Sequence, residues 1–169
     1  MKPLPSDSTL GAMMSVLPRH GRVEWVGLRS KRDVPMGPVS EAIAVAGKGL
    51  VGDRYASESG KRGLTLIQAE HLPVIAALAG HDQVAASLLR RNVVISGLPV
   101  IALLGRRFRI GEVLLEGTGE CDPCSRMEAA LGPGGFNAMR GHGGLCARIL
   151  EGGRFRIGDA LVPLAADRA

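Results

Sequence analysis

Apolar and polar residues alternate, the mark of a strand with one buried face, at residues 22–28 (RVEWVGL) and again at 39–46 (VSEAIAVA). Residues 64–67 (LTLI) read as a short, largely apolar strand. The period then changes, and residues 68–79 (QAEHLPVIAALA) read as a helix. Pro73 has no amide hydrogen to give a helix interior, so it belongs in the first turn; the start falls near residues 70–72 and Gly80 ends the helix. Residues 82–90 (DQVAASLLR) predict a second helix with Asp82 as its cap. From Asn92 the text is β: NVVIS, a bend at Gly97-Leu98-Pro99, then RRFRI and VLLEG split by Gly111-Glu112, a hairpin signal. The C-terminal part repeats the device with LCARILE, Gly152-Gly153, RFRIG and ALVPL. FRIGEVLLE (108–116) and FRIGDALVP (155–163) are near copies, too short to establish an internal repeat. The sum predicts a mainly β (α+β) fold, a closed or nearly closed barrel with two or three inserted helices. It occupies residues 21–165 as one domain, after a flexible tail over 1–20.

Composition narrows the picture. With 24 Gly and 10 Pro among 169 residues, turns are frequent, which fits many short strands better than a helical bundle. The length allows one domain with a core large enough to need neither disulfide nor metal. No apolar stretch approaches the ~20 residues that span a bilayer. The N-terminus lacks a basic start and an Ala-x-Ala cleavage site, so it does not read as a signal peptide. Net charge is +5, and 17 of the 21 basic residues are arginine. They are spread along the chain, and only Phe108 and Phe155 lie inside basic clusters, so the aromatic platforms of a single-strand binder are missing and no nucleic-acid partner is expected. Scattered arginines suit small anionic ligands, phosphate above all. Three cysteines, an odd number, favour a reducing compartment, the cytoplasm, and thiols kept for chemistry or metal.

The densest chemistry lies in GTGECDPCSRMEAALGPGG (117–135). Cys121-x-x-Cys124 stands before a helical pattern in which Asp122 reads as N-cap, Pro123 as the first helical residue and Gly132 as the stop. Cys124 then falls in the first turn, where free N–H groups and the helix dipole favour a thiolate, and Arg126 adds a cation. Three readings of this thiol stay open. One is dithiol redox chemistry, although a thioredoxin-like motif belongs after an early strand of a βαβ unit. A second is a structural zinc held by Cys121, Cys124, His142 and Cys146. The third is a single thiolate on a redox metal carried by its own organic cofactor. Gly47 to Arg54 (GKGLVGDR) contains a formal GxGxxG, but the loop after it is polar and not helical, so a dinucleotide site fails its context test. What remains is a Gly-rich turn presenting Asp53 and Arg54. With Arg90-Arg91-Asn92 and Gly141-His142-Gly143-Gly144, it offers equipment for a phosphate-bearing ligand.

Together GKGLVGDRYA, LTLIQAEHL, RRNVVISG, RRFRIGEVLLEGT, CDPC and GHGGLCARILEGGRFRIGDAL resemble the molybdenum cofactor sulfurase C-terminal (MOSC) domain family, from about Val23 to Pro163. The resemblance is to the short stand-alone bacterial type. It implies a β-barrel like the pyruvate kinase barrel domain and a molybdenum cofactor (molybdenum on molybdopterin). By the same resemblance Cys124 is the metal ligand and catalytic centre. Arg90 and Asn92 would hold the pterin's phosphate or ring edge, Arg54 a phosphate, and Arg29, Ser30, Gln68 and Arg126 would complete the cofactor site. The implied activity is two-electron reduction of small N-hydroxylated compounds, with electrons from a separate reductase, since the chain carries no flavin or iron–sulfur motif. The alternatives are a cofactor or persulfide carrier that turns nothing over, and a zinc-stabilised binding domain. Pyridoxal phosphate, which longer relatives bind through a fused domain, is not expected here.

Overall fold

The computed structural model describes residues 8–55 and 60–165. A short helix, α1 (Thr9–Ser15), precedes the β structure; Ser8 caps it through Gly11 N–H, and none of its residues is buried. The strands that follow are β1 (Gly21–Leu28), β2 (Gly37–Val39), β3 (Glu41–Val45), β4 (Gly49–Leu50) and β5 (Leu64–Gln68). After helix α2 (His71–Ala79) come β6 (Val93–Ser96), β7 (Arg107–Ile110) and β8 (Val113–Glu120). Helices α3 (Ser125–Leu131) and α4 (Gly135–Met139) lead into β9 (Leu145–Glu151), β10 (Gly153–Arg156) and β11 (Ala160–Pro163).

Seven strands close on themselves in the order β11-β7-β8-β9-β5-β6-β1, with β1 returning to β11; β2 hangs on β1, and β10-β3-β4 form a small second sheet. Closure removes the sheet edges that would otherwise expose unpaired backbone. The fold is thus mainly β, a closed barrel with α2, α3 and α4 inserted between strands. Alternation does the sorting: Leu145, Ala147 and Ile149 of β9 enter the barrel while Cys146 and Arg148 lie on the outer face. The barrel fills with Leu64, Leu66, Val93, Ile95, Phe108, Ile110, Leu115 and their neighbours, all but inaccessible.

A second apolar layer lies outside the wall, where Ile67 and Val94 meet Ile75, Met127, Leu131 and Met139 from α2, α3 and α4. This explains why β5 shows no alternation: one face lines the barrel and the other lies under helices. β5 and β6 are parallel, and α2 makes the crossover between them. Its bounds match the sequence reading, with Pro73 in the first turn and Gly80 left-handed at φ 75°.

Three local expectations differ from the outcome. Residues 82–90 hold only a 3-10 turn, Ala86–Leu89, closed by Arg90 in a left-handed conformation (φ 59°). Gly152-Gly153 does not close a hairpin between β9 and β10; the chain leaves the barrel there, and β10 pairs with β3. The Cys121-x-x-Cys124 segment does not open a helix at Asp122. The helix begins at Ser125 with Cys124 as its N-cap. The reason is Arg91, whose buried guanidinium takes the carbonyl oxygens of Cys121 (2.7 Å) and Asp122 (3.4 Å) and holds the segment extended.

Candidate functional site

A cavity of about 210 Å³ opens at one end of the barrel, lined by Arg29, Met36, Asp53, Tyr55, Arg62, Thr65, Arg90, Arg91, Asn92, Asp122, Cys124 and Arg126. Five arginines face two carboxylates. Each wall is positioned by a different part of the chain.

Arg29 follows directly on β1. Its backbone is clamped from the Gly-rich turn, where Asp53 Oδ1 accepts from Arg29 N–H at 2.7 Å and Arg54 N–H donates to Arg29 O at 2.6 Å. The side chain is the opposite case: Nε and Nη1 are buried and have no hydrogen-bond partner. Burial, then the positive charges of Arg54, Arg126 and Arg62, hold this guanidinium below its ordinary value, against the pull of Asp53. Arg90 reaches the cavity from its left-handed backbone, a conformation that costs a non-glycine residue about 1–2 kcal/mol.

Arg91 and Asn92 are braces. Arg91 donates from Nε to Gly143 O (2.7 Å), from Nη1 to Leu89 O (2.9 Å) and from Nη2 to Cys121 O, tying the Gly-rich 141–144 loop and the cysteine segment to the head of β6. Gly143 is required there, since an added Cβ would stand 2.2 Å from Cys121 O. Asn92 Oδ1 accepts from Thr65 N–H (3.2 Å) and Thr65 Oγ1 (2.9 Å), and its Nδ2 donates to Gly27 O (3.3 Å), joining β1, β5 and β6. Arg62 stands over the Tyr55 ring, 5.7 Å from its centroid, and its Nη2 lies 3.5 Å from Cys121 Sγ. Arg126 pairs with Asp33 at the rim.

Of the sequence candidates, Arg29, Arg90, Asn92, Cys124 and Arg126 therefore meet around one cavity. Three lie outside its lining. Arg54 stands near Arg29 and acts on it electrostatically, Ser30 is exposed, and Gln68 spends its carbonyl oxygen on Val100 N–H at 3.2 Å. Asp53 and Arg91, from the Gly-rich turn and the Arg90-Arg91-Asn92 run, also line it, and Arg62, Tyr55 and Thr65 join them. Thr65 stood inside a segment already singled out, but nothing in the local pattern of KRGLT marks Arg62.

The three thiols have different fates. All are free: Cys124 is exposed at the cavity mouth, Cys121 is buried and Cys146 half-buried. Cys146 Sγ donates to Glu120 O at 3.8 Å, beside Cys121. The neighbouring Cys146 thiol and the cations of Arg91 and Arg62, acting against burial, pull the Cys121 thiol down to about 6, whereas the nearby Cys121 and burial push Cys146 up. His142 packs edge-on against His71, ring centroids 4.8 Å apart. The zinc set is thus not assembled, and among the described residues no group of three or more His, Cys, Asp or Glu is placed to hold a metal. No helix among them is long and apolar enough to cross a membrane.

A closed seven-stranded barrel with an arginine-lined cavity and a cysteine at its mouth defines the class of protein. The chain belongs to the MOSC domain family, whose model matches residues 53–162. Solved structures agree on the fold. The YuaD protein from Bacillus subtilis superposes with a TM-score of 0.78 at 17% identity, covering 90% of this chain and 100% of that one. YiiM from Geobacillus stearothermophilus gives 0.70 at 19% identity (85% and 75% covered), and YiiM from Escherichia coli 0.68 at 20% (88% and 71%). Among curated proteins, none matches the sequence.

Proposed function

We propose that the cavity binds a molybdenum cofactor and that the protein reduces small N-hydroxylated compounds by two electrons. The observation that carries the reading is Arg29: a half-buried cation with two buried, unpartnered nitrogens at a cavity wall is stabilised by an incoming anion such as a phosphate. The donor set fits the rest of such a group. Cys124 offers one accessible soft sulfur for a redox metal. Arg29, Arg90 and Arg126 would grip the phosphate-bearing tail, with Arg62 at the wall beside them.

When bound, the cofactor supplies the two-electron redox chemistry. The chain's own residues bind and orient. Arg91 and Asn92 hold the barrel mouth in shape through backbone carbonyls and Thr65, which leaves the other arginines to meet the ligand. Asp53 fixes the Arg29 backbone, so that its side chain enters the cavity from a set direction. Reduction of R–NH–OH to R–NH2 and water consumes two electrons and two protons. The electrons come from a separate reductase, and the three free thiols suit the reducing cytoplasm.

The test is elemental analysis of protein made in a molybdenum-replete host, followed by amidoxime or hydroxylamine reduction with an artificial donor. Near-stoichiometric molybdenum and turnover, both lost in Cys124→Ser, are the expected results. Molybdenum without turnover leaves the carrier reading. Zinc in place of molybdenum, or a Cys124→Ser variant that reduces substrate normally, overturns the proposal.

A further inference from the structure

Cys121 and Cys146 do not take part in the function proposed above, yet the fold places them together. β8 and β9 run antiparallel with Gly119 opposite Cys146, and Cys146 Sγ lies 3.8 Å from Glu120 O, the carbonyl that directly precedes Cys121. The register shifts between Gly117 and Gly119, and β8 ends at Glu120. Cys121 thus sits just past the regular ladder, held by one bond from its N–H to Gly144 O (2.9 Å).

The surroundings are those of a reactive thiol. Arg62 Nη2 lies 3.5 Å from Cys121 Sγ, and the Cys146 thiol is its neighbour. Both favour the anionic sulfur, whose ionisation is pulled well below that of a free thiol. A small cavity of about 70 Å³, bordered by Cys121, Glu120, Pro123 and His71, leads to this residue and is large enough for a peroxide. Cys124, three positions on, faces the other cavity.

We infer that Cys121 and Cys146 are a peroxide-reactive thiol pair that closes reversibly to a disulfide. The Cys121 thiolate attacks a hydroperoxide, its sulfur–oxygen bond forms as the O–O bond breaks, and water (or an alcohol) leaves after taking up a proton. Cys121 is then a sulfenic acid. The Cys146 sulfur attacks the Cys121 sulfur, the S–O bond breaks, and the hydroxyl departs with the Cys146 proton as water. Two thiols lose two electrons and two protons, and the hydroperoxide accepts them. A thiol reductant reverses the bridge.

This inference is independent of any metal at Cys124, and its test reads chemistry on the protein rather than turnover. Purified protein is treated with a small excess of hydrogen peroxide, blocked with N-ethylmaleimide, and mapped by peptide mass spectrometry. The expected product is a Cys121–Cys146 cross-linked peptide, reversed by dithiothreitol, with Cys124 still alkylated. In Cys146→Ser, dimedone should trap a sulfenic acid on Cys121; in Cys121→Ser, Cys146 should stay reduced at the same dose. A Cys121–Cys124 bridge, oxidation that begins at Cys124, or three unchanged thiols overturns the inference.

Discussion

Arg29 and Arg91 border the same cavity from the ends of two neighbouring strands and lead opposite lives. Arg91 is nearly inaccessible, and each of its nitrogens meets a backbone carbonyl. Arg29 buries two nitrogens against nothing. A buried charge with full hydrogen bonding holds structure together, while one without it costs free energy until a ligand arrives. The contrast separates what builds the cavity from what the cavity is for.

The largest effect expected from breaking this contrast is at Arg91. Arg91→Ala orphans the carbonyl groups of Gly143, Leu89 and Cys121, and should lower stability by about 3 kcal/mol or more in chemical denaturation. Next comes the ligand side. Inorganic phosphate at 100 times its Kd should stabilise the wild type by about 2.7 kcal/mol in a thermal-shift series, and Arg29→Ala should abolish most of that gain. A smaller effect, opposite in sign to that of Arg91→Ala, is expected without ligand. Removing a half-buried cation with two unpartnered nitrogens should leave Arg29→Ala more stable than wild type by up to about 1 kcal/mol. If Arg29→Ala destabilises the ligand-free protein as Arg91→Ala does, the two arginines are not distinct and the cavity loses its anion argument.

The smallest effect extends the contrast to a histidine. His71 Nδ1 is buried without a partner, and burial, then the nearby His142 ring, lower the His71 pKa from its ordinary value, against a bond to the His142 backbone. The folded state takes up this proton only at lower pH than the unfolded chain, which takes it up below about pH 6.5. Stability contributed by His71 is therefore present above that value and lost as pH falls. His71→Gln should flatten the acid side of a stability–pH curve, and an unchanged slope would remove His71 from the account.

The near copies FRIGEVLLE and FRIGDALVP show where local text stops being enough. In the first, Phe108 and Ile110 both enter the barrel and Gly111-Glu112 turns the chain into β8. In the second, Phe155 is buried from the small sheet, but Ile157 is 44% exposed, and β10 and β11 go to different partners. Alternation specifies which residues share a face; it does not specify which strand lies alongside. The helix expected over 82–90 failed for a related reason, since its apolar residues are used by Leu89 packing under α3 and by the Arg90 turn.

From the sequence alone came the strands other than β2 and β4, the α2 boundaries, the barrel class and a cluster of candidates of which Arg29, Arg90, Asn92, Cys124 and Arg126 share one cavity. These follow from periodicity, turn chemistry and residue type, which act over a few neighbouring positions. Only the tertiary structure decided that Arg91 braces while Arg29 waits, that Arg62 belongs to the cavity, and that Cys121 has Cys146 as a neighbour while Cys124 faces the cavity. Hydrogen-bond satisfaction and thiol environment depend on groups 30 or more positions away in the chain, such as Cys121 O for Arg91 and Arg62 for Cys121, and no local pattern records them.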